Sequence, residues 1–483
     1  MVSRLGLLLS RTIGRFMPDP FLLAIVLSIA AAALAMAFGN AGPDGGPPPG
    51  PELLASWWSK GVWGLLAFAM QMCLILVTGS AIAESPIVAR GIGRIASLPE
   101  SMPQAAALVA AVAIVAGLLN WGLGLVVGAL MARETARSLA ARRVACHYPL
   151  LAACGYLSML VWHGGFSGSA PLSMTTSDGA AKVIPADVLA AMPDGGAIPL
   201  SQTLFSPLNL VATGGLLLGL PILMALLAPR HAEQCLAPSD LGIDLASGAE
   251  PTRASSSRRT RPSAAATRSI ADEDGRSRDF AFLPVALAVL LGAAFVGGFL
   301  QWAVRDGMGR LGLDQVNAFM FGAGLLLHGS ALSYARAIER AAKGCAGIII
   351  QFPLYAGILG ILRESGLLAT FAETAAEFAG PESLAPLTML SAGIVNLFVP
   401  SGGGQWAVQG PIALAAGAEA GVSEGTMTMA VAYGDELTNM LQPFWALPLL
   451  AITGVKARDL VGYTAIAMLA AAAWLLLGLV VLG

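Results

Sequence analysis

Apolar runs of about 20 residues, the length that spans a bilayer, recur along the whole chain, and no Lys or Arg interrupts them. They lie at 21–38, 62–83, 207–228, 280–303, 344–361 and 459–482, with a shorter one at 315–331. In lipid every backbone N–H and C=O must find a partner inside the protein, so runs of this kind fold as helices. The expected fold class is an all-α polytopic membrane protein. Composition agrees: 12% of the residues are charged, against about a quarter in soluble domains. A net charge of −2 offers no basic field for nucleic acid. The five cysteines show no CxxC or metal-ligand spacing, so they are expected as small apolar packers, with no metal and no cofactor. Arg4, Arg11 and Arg15 precede the run 21–38, which is long for a signal peptide and reads as a first transmembrane helix.

Four other apolar stretches are interrupted. Residues 104–131 break at "NWGLG" (120–124) and 384–418 at "NLFVPSGGG" (396–404); 149–171 and 426–451 carry glycine, proline and polar groups. The segment 229–279, with "SSSRRTRPSAAATRS", lacks large apolar residues and reads as a polar cytoplasmic connector without a fold of its own. It separates a first half, 1–228, from a second, 280–483.

Basic residues choose the topology. If 104–131 and 384–418 are re-entrant hairpins and the N-terminus is cytoplasmic, 22 of the 27 Lys and Arg face the cytoplasm. A full crossing at 104–131, as one tilted helix, would turn 18 of them outward. The positive-inside bias favours the hairpin. Nine crossings and two hairpins follow, with a periplasmic C-terminus. The halves also echo each other. Gln71 matches Gln351, Asn120 matches Asn396 and Gly155 matches Gly434, at offsets of 280, 276 and 279. Five crossings separate the two hairpins, so the repeats are expected to be inverted, as in many secondary transporters.

Irregular backbone at membrane depth is tolerated where it lines a cavity or is buried in protein. The expected substrate site therefore lies at the breaks. In the second half it comprises Asn396, Pro400, Ser401, Gly402, Gly403, Gly404, Gln405 and Trp406, with a helix starting near Gln405 whose N–H groups suit a carboxylate. In the first half it comprises Asn120, Gly122, Gly164, Gly165, Ser167, Gly168 and Ser169. Close packing of small residues is the competing reading of these glycines and serines. Within "AYGDELTNMLQPFWALP", Asp435 and Glu436 are ionisable residues at depth, which mark ion or proton pathways. Asp435, Asn439 and Gln442 share a face if the segment stays helical. The alternative has both acids capping a wet break near the surface. His163, beside glycines, reads as a packed residue. "GVSEG" (421–425) fits G-x-S-x-G, but no strand pattern precedes Ser423.

The stretches "MPDPFLLAIVLS", "LLAFAMQMCLILVTG", "NWGLGLVVGALMARE", "GGFSGSAPL", "VNAFMFGAGLLLH", "FPLYAGI", "VPSGGGQWAVQGP" and "AYGDELTNMLQPFWALP" closely resemble the bacterial short-chain fatty acid transporter family. The resemblance covers nearly the whole chain apart from the 40–60 loop and the connector. It implies uptake of small monocarboxylates such as acetoacetate or butyrate across the inner membrane, by a fold with inverted repeats that often dimerises. It also implies an acid at Asp435, whereas Glu436 and His163 depart from the family's usual neutral residue and glycine. That leaves Asp435 as the stronger coupling candidate. The expected function is a secondary transporter coupled to H+, with Na+ as the other coupling ion. A cation/proton antiporter using Asp435 and Glu436, and a membrane-embedded hydrolase using Ser423, are the alternatives.

Overall fold

Each uninterrupted apolar run folds as a helix. A computed structural model of the protein describes residues 20–40, 46–64, 66–181, 184, 186–245, 283–307, 313–367, 370, 379–398 and 402–483. The first half contains α1 (Pro20–Phe38), α2 (Pro51–Gly61), α3 (Leu66–Glu84), α4 (Pro86–Ala96), α5 (Met102–Leu119), α6 (Trp121–Ala141), α7 (Tyr148–Tyr156), α8 (Ser169–Ser173) and α9 (Pro207–Leu227). Short helical turns at Ser177–Ala180 and Ala186–Ala191 fill the loop before α9. The second half contains α10 (Leu283–Asp306), α11 (Leu313–His328), α12 (Ala331–Ala342), α13 (Ala346–Glu364), α14 (Leu384–Phe398), α15 (Gly402–Ala420), α16 (Glu424–Thr438), α17 (Pro443–Thr453) and α18 (Ala457–Leu482). No strand occurs among the described residues. Five helical segments there are long and apolar enough to cross a membrane, and an all-α polytopic membrane fold is what the chain has.

Helices α5 and α6 form the first hairpin, which runs beyond 104–131 to fill 102–141. Its ends lie together: Arg142 Nη2 donates to the Pro99 carbonyl at 2.6 Å, so the chain leaves where it entered. The arms touch because both lack side chains near the tip. A Cβ on Gly124 would sit 2.6 Å from Gly117 Cα. Helices α14 and α15 form the second hairpin, joined by Gln405 Nε2 to the Ala392 carbonyl (2.9 Å) and Gln409 Nε2 to Ser391 Oγ (3.3 Å).

Both broken segments form the centre. Every residue from Tyr148 to Gly165 is buried, and α16 is buried on nearly all sides. The breaks have local causes. The α7 segment tightens to a 3-10 turn over Leu157–Leu160 and gives way to the glycine-rich stretch before α8. Helix α16 ends at Thr438, a 3-10 turn covers Asn439–Leu441, and Gln442 is extended (ψ 107°). Pro443 follows, and proline pushes the residue before it out of the helical region.

Three helices were not expected: α2, α4 and α12. They are too short or too polar to register as apolar runs. Helix α4 leaves α3 at an angle of 77°, and Arg340 of α12 is paired with Glu84 at 2.6 Å. Trp57 is buried and Gly357 of α13 abuts the Trp58 ring, whereas Trp63 is exposed. The start of the connector does not hang free. Leu236 exchanges bonds with His147 and Tyr148, Arg137 Nε reaches the Leu245 carbonyl at 3.2 Å, and Ile243 contacts Gly454. Residues 246–279 of that segment lie outside the described residues.

Candidate functional site

Both hairpin tips converge on the broken segments. In the first tip, Asn120 is the N-cap of α6 and its Oδ1 accepts from Gly122 and Leu123 N–H at 2.9 and 3.1 Å. That is why the run breaks at Asn120: its side chain pairs donors that a helix start leaves free. Ser167 Oγ takes another, the Trp121 N–H, at 2.9 Å. Gly122 lies against Ile75 of α3, where a Cβ would come within 1.9 Å of Cγ2. In the second tip Gly402, Gly403 and Gly404 form the first turn of α15, which starts three residues earlier than the sequence reading placed it. Gly402 lies against the first-half break, where a Cβ would meet His163 Nε2 at 2.8 Å and Trp162 at 3.0 Å. Pro400 and Ser401 lie outside the described residues.

Trp162 links the tips. Its ring lies 6.4 Å from Trp121, 6.2 Å from Trp445 and 3.7 Å from His163. Trp121 and Trp445 meet edge to face at 5.4 Å. The three indoles close the space between the hairpins with rigid apolar rings.

The acids lie directly behind this cluster. His163 Nε2 is 3.1 Å from Asp435 Oδ1, and the His163 backbone N–H donates to Glu436 Oε2 at 3.0 Å. The His163 and Asp435 side chains are 1% and 3% exposed, so both are closed off by protein. No Lys or Arg is among the buried described residues. Asp435 Oδ2, Glu436 Oε1, His163 Nδ1, Asn439 Nδ2, Asn120 Nδ2 and Trp162 Nε1 are buried without a partner among the described residues. Buried polar atoms are normally satisfied, and atoms of this kind recur elsewhere among the described residues, at Ser85, Thr135 and Asn317 for example.

Asn396 organises the second-half break. Its Nδ2 lies within donating distance of the Asp435 carbonyl (2.6 Å), Asn439 Oδ1 (2.9 Å) and Thr438 Oγ1 (3.0 Å), while its own carbonyl accepts from Gln442 Nε2. Asn439 follows one turn after Asp435, but Gln442 has left the helix, so the three do not form one helical face. Gln405 is spent on the hairpin contact, and Trp406 is fully buried.

The first-half glycines face protein rather than open space. Gly164 abuts Asn209 and Thr213, Gly165 abuts the Leu118 carbonyl, and Gly168 abuts the His163 carbonyl. Ser169 begins α8, only five residues long. Sequence reasoning missed Asn209, whose Nδ2 donates to the Gly164 carbonyl (3.0 Å) and whose Oδ1 accepts from Thr213 Oγ1 (2.8 Å) and Tyr433 OH (3.0 Å). An asparagine inside the apolar run 207–228 was the available signal.

Tyr156 was missed as well. Its OH lies 2.8 Å from the Asn439 carbonyl and 3.1 Å from that of Gln442, so it serves carbonyls released at the second break. Glu436 does the converse, serving an N–H released at the first. Each broken segment is closed by a side chain from the other. Tyr156→Phe leaves those carbonyls without this donor in a buried site and is expected to cost about 1–3 kcal/mol. Thermal unfolding of the purified protein in detergent measures it, and an unchanged midpoint would show the bond to be dispensable.

Ser423 is the N-cap of α16, accepting from Thr426 N–H at 3.1 Å, and it is exposed. No strand precedes it, so the arrangement of a nucleophile elbow is absent around Ser423.

Two helical hairpins packed on broken helices, among apolar helices long enough to cross a bilayer, together with a family match over residues 1–482, define a polytopic membrane transporter rather than an enzyme. The chain belongs to the short-chain fatty acid transporter family, whose model, described as "Short chain fatty acid transporter", matches residues 1–482. Proteins bearing that family's name from Escherichia coli K12 and Haemophilus influenzae Rd are 35% and 34% identical over 481 and 485 residues, covering 99% of each chain. Two solved structures are similar over most of their length. The YdaH transporter of Alcanivorax borkumensis shares 15% identity at a TM-score of 0.44, covering 95% of this chain and 98% of its own. MtrF of Neisseria gonorrhoeae, described with a class of antimetabolite efflux pumps, shares 16% at 0.42, covering 98% and 96%.

Proposed function

We propose that the protein carries small monocarboxylates, acetoacetate and butyrate among them, across the bacterial inner membrane together with protons. One observation supports this above the rest: the buried site between the tips combines unpaired N–H donors with two acids and a histidine and holds no Lys or Arg. A site without a fixed positive charge suits a singly charged anion better than a di- or tricarboxylate. Two like charges about 4 Å apart repel by about 4 kcal/mol at an effective dielectric of 20. A carboxylate substrate entering beside Asp435 and Glu436 therefore needs a proton to come with it. In this reading Asp435 supplies the buried negative charge on which coupling depends. The N–H groups at the start of α15, with Asn120 and Asn439, hold the carboxylate, while Trp162 and its neighbours exclude water. The chain acts as two inverted halves with its N-terminus in the cytoplasm.

Uptake of labelled acetoacetate and butyrate into proteoliposomes tests this directly, with proton and sodium gradients imposed separately. An inward proton gradient is expected to drive accumulation at least tenfold over a sodium gradient. A pH change provoked by Na+ alone, without carboxylate uptake, would establish a cation/proton antiporter instead.

A further inference from the structure

We propose that His163 receives the proton that enters with the substrate, and that its imidazolium, braced by Asp435, is the positive charge that holds the substrate carboxylate. The inference rests on the monocarboxylate reading above and adds the identity of the cation.

Among the buried described residues only two side chains can become cations, His147 and His163. His147 is committed elsewhere: its Nδ1 accepts from Leu236 N–H at 3.0 Å and its Nε2 meets Tyr463 OH at 2.8 Å, beside the base of the first hairpin. His163 alone touches the acids. Its Nε2 lies 3.1 Å from Asp435 Oδ1, while Nδ1 is buried without a partner among the described residues. Imidazolium donates from both nitrogens. One N–H then points to Asp435, and the other is left for a ligand.

The surroundings fit an anion at that place. The first turn of α15 abuts the imidazole at Gly402, and the Trp162 ring, whose Nε1 is also buried without a partner among the described residues, lies 3.7 Å from it. Among the described residues, the titratable groups facing His163 come from α16: Asp435 and Glu436. Gly402 faces it from α15, and α9 reaches its neighbour Gly164 through Asn209 and Thr213, none of them titratable. Tyr433 is bonded to Asn209, and Tyr156 to the carbonyls of the second break. Neutral His163 leaves an ionised Asp435 without a counter-charge, and a substrate anion adds repulsion. One proton on the imidazole relieves both, and it departs when the substrate does.

Imidazole 15N spectra test this on the intact protein in detergent, with its four histidines labelled. Adding saturating butyrate near pH 7.5 is expected to convert one imidazole to the doubly protonated form, at a signal missing from His163→Gln. In weakly buffered solution, binding should take up about one proton per butyrate in the wild type and almost none in His163→Gln. Wild-type affinity should fall about tenfold per pH unit above the imidazole's titration, and the variant's should be flat. If His163→Gln does not fold, the wild-type spectra decide, with His147, His231 and His328 replaced to clear the other signals. Butyrate binding without a new imidazolium overturns this inference and leaves the transport reading standing. No butyrate binding to the wild type, read by calorimetry, overturns the substrate reading and this inference with it.

Discussion

Asp435→Asn is expected to abolish proton-driven accumulation of butyrate, by at least a hundredfold, while exchange of preloaded substrate continues. The substitution is nearly isosteric and keeps an oxygen for His163 Nε2 at the 3.1 Å contact. The bond that anchors the second hairpin survives too, because Asn396 donates to the backbone carbonyl of residue 435 rather than to its side chain. What disappears is the charge. Both contacts are kept by asparagine, so loss of fold is not the expected outcome. Counterflow of labelled butyrate in proteoliposomes, compared with uptake driven by an imposed proton gradient, separates coupling from passage. If both survive, Asp435 has no part in coupling.

Gly434→Val is expected to have the largest effect on stability. A Cβ at this position would lie 2.1 Å from the Met389 carbonyl oxygen and 2.6 Å from Ala392 Cβ. Those atoms belong to the backbone and the first side-chain carbon of α14, which cannot rotate away. Overpacking of this kind costs typically about 1–3 kcal/mol, and more where backbone must shift. The shift would fall on the Asn396 bonds to Asp435, Thr438 and Asn439, so transport should vanish with stability. Gly219 is the control, since a Cβ there meets nothing within 4 Å. Thermal unfolding and size-exclusion profiles of Gly434→Val and Gly219→Ala test the contrast. Equal midpoints would mean that the α14–α16 contact is looser than its geometry.

Much of this architecture can be read locally. Hydrophobic length alone locates the uninterrupted membrane helices, because a run long enough to cross has no other way to pair its backbone. Glycine, asparagine and proline mark the breaks to within a few residues: Asn120 is where α5 stops, and Pro443 is where α17 starts. The glycine run at 402–404 misleads by a turn, since glycine is accepted at a helix start as readily as in a loop.

What local reading misses are partnerships over long separations. Tyr156 and Asn439 are 283 residues apart, and Tyr433 and Asn209 are 224 apart. No periodicity encodes such a pair. His163 looks like a packed residue in sequence because its neighbours are glycines. Only the fold shows that Asp435, 272 positions later, faces its ring. The small residues at 164–168 were ambiguous for the opposite reason. Close approach to a ligand and close approach to another backbone ask for the same missing side chain, and here Leu118, Asn209 and the His163 carbonyl take the space.

The exchange of braces between the breaks, Tyr156 in one direction and Glu436 in the other, ties the fate of one half of the chain to the other. Neither segment can unlatch without stripping the other of a partner, the Gln442 carbonyl on one side and the His163 amide on the other. The two halves are thereby latched to each other at their centres by two side chains, and separating them costs both bonds at once.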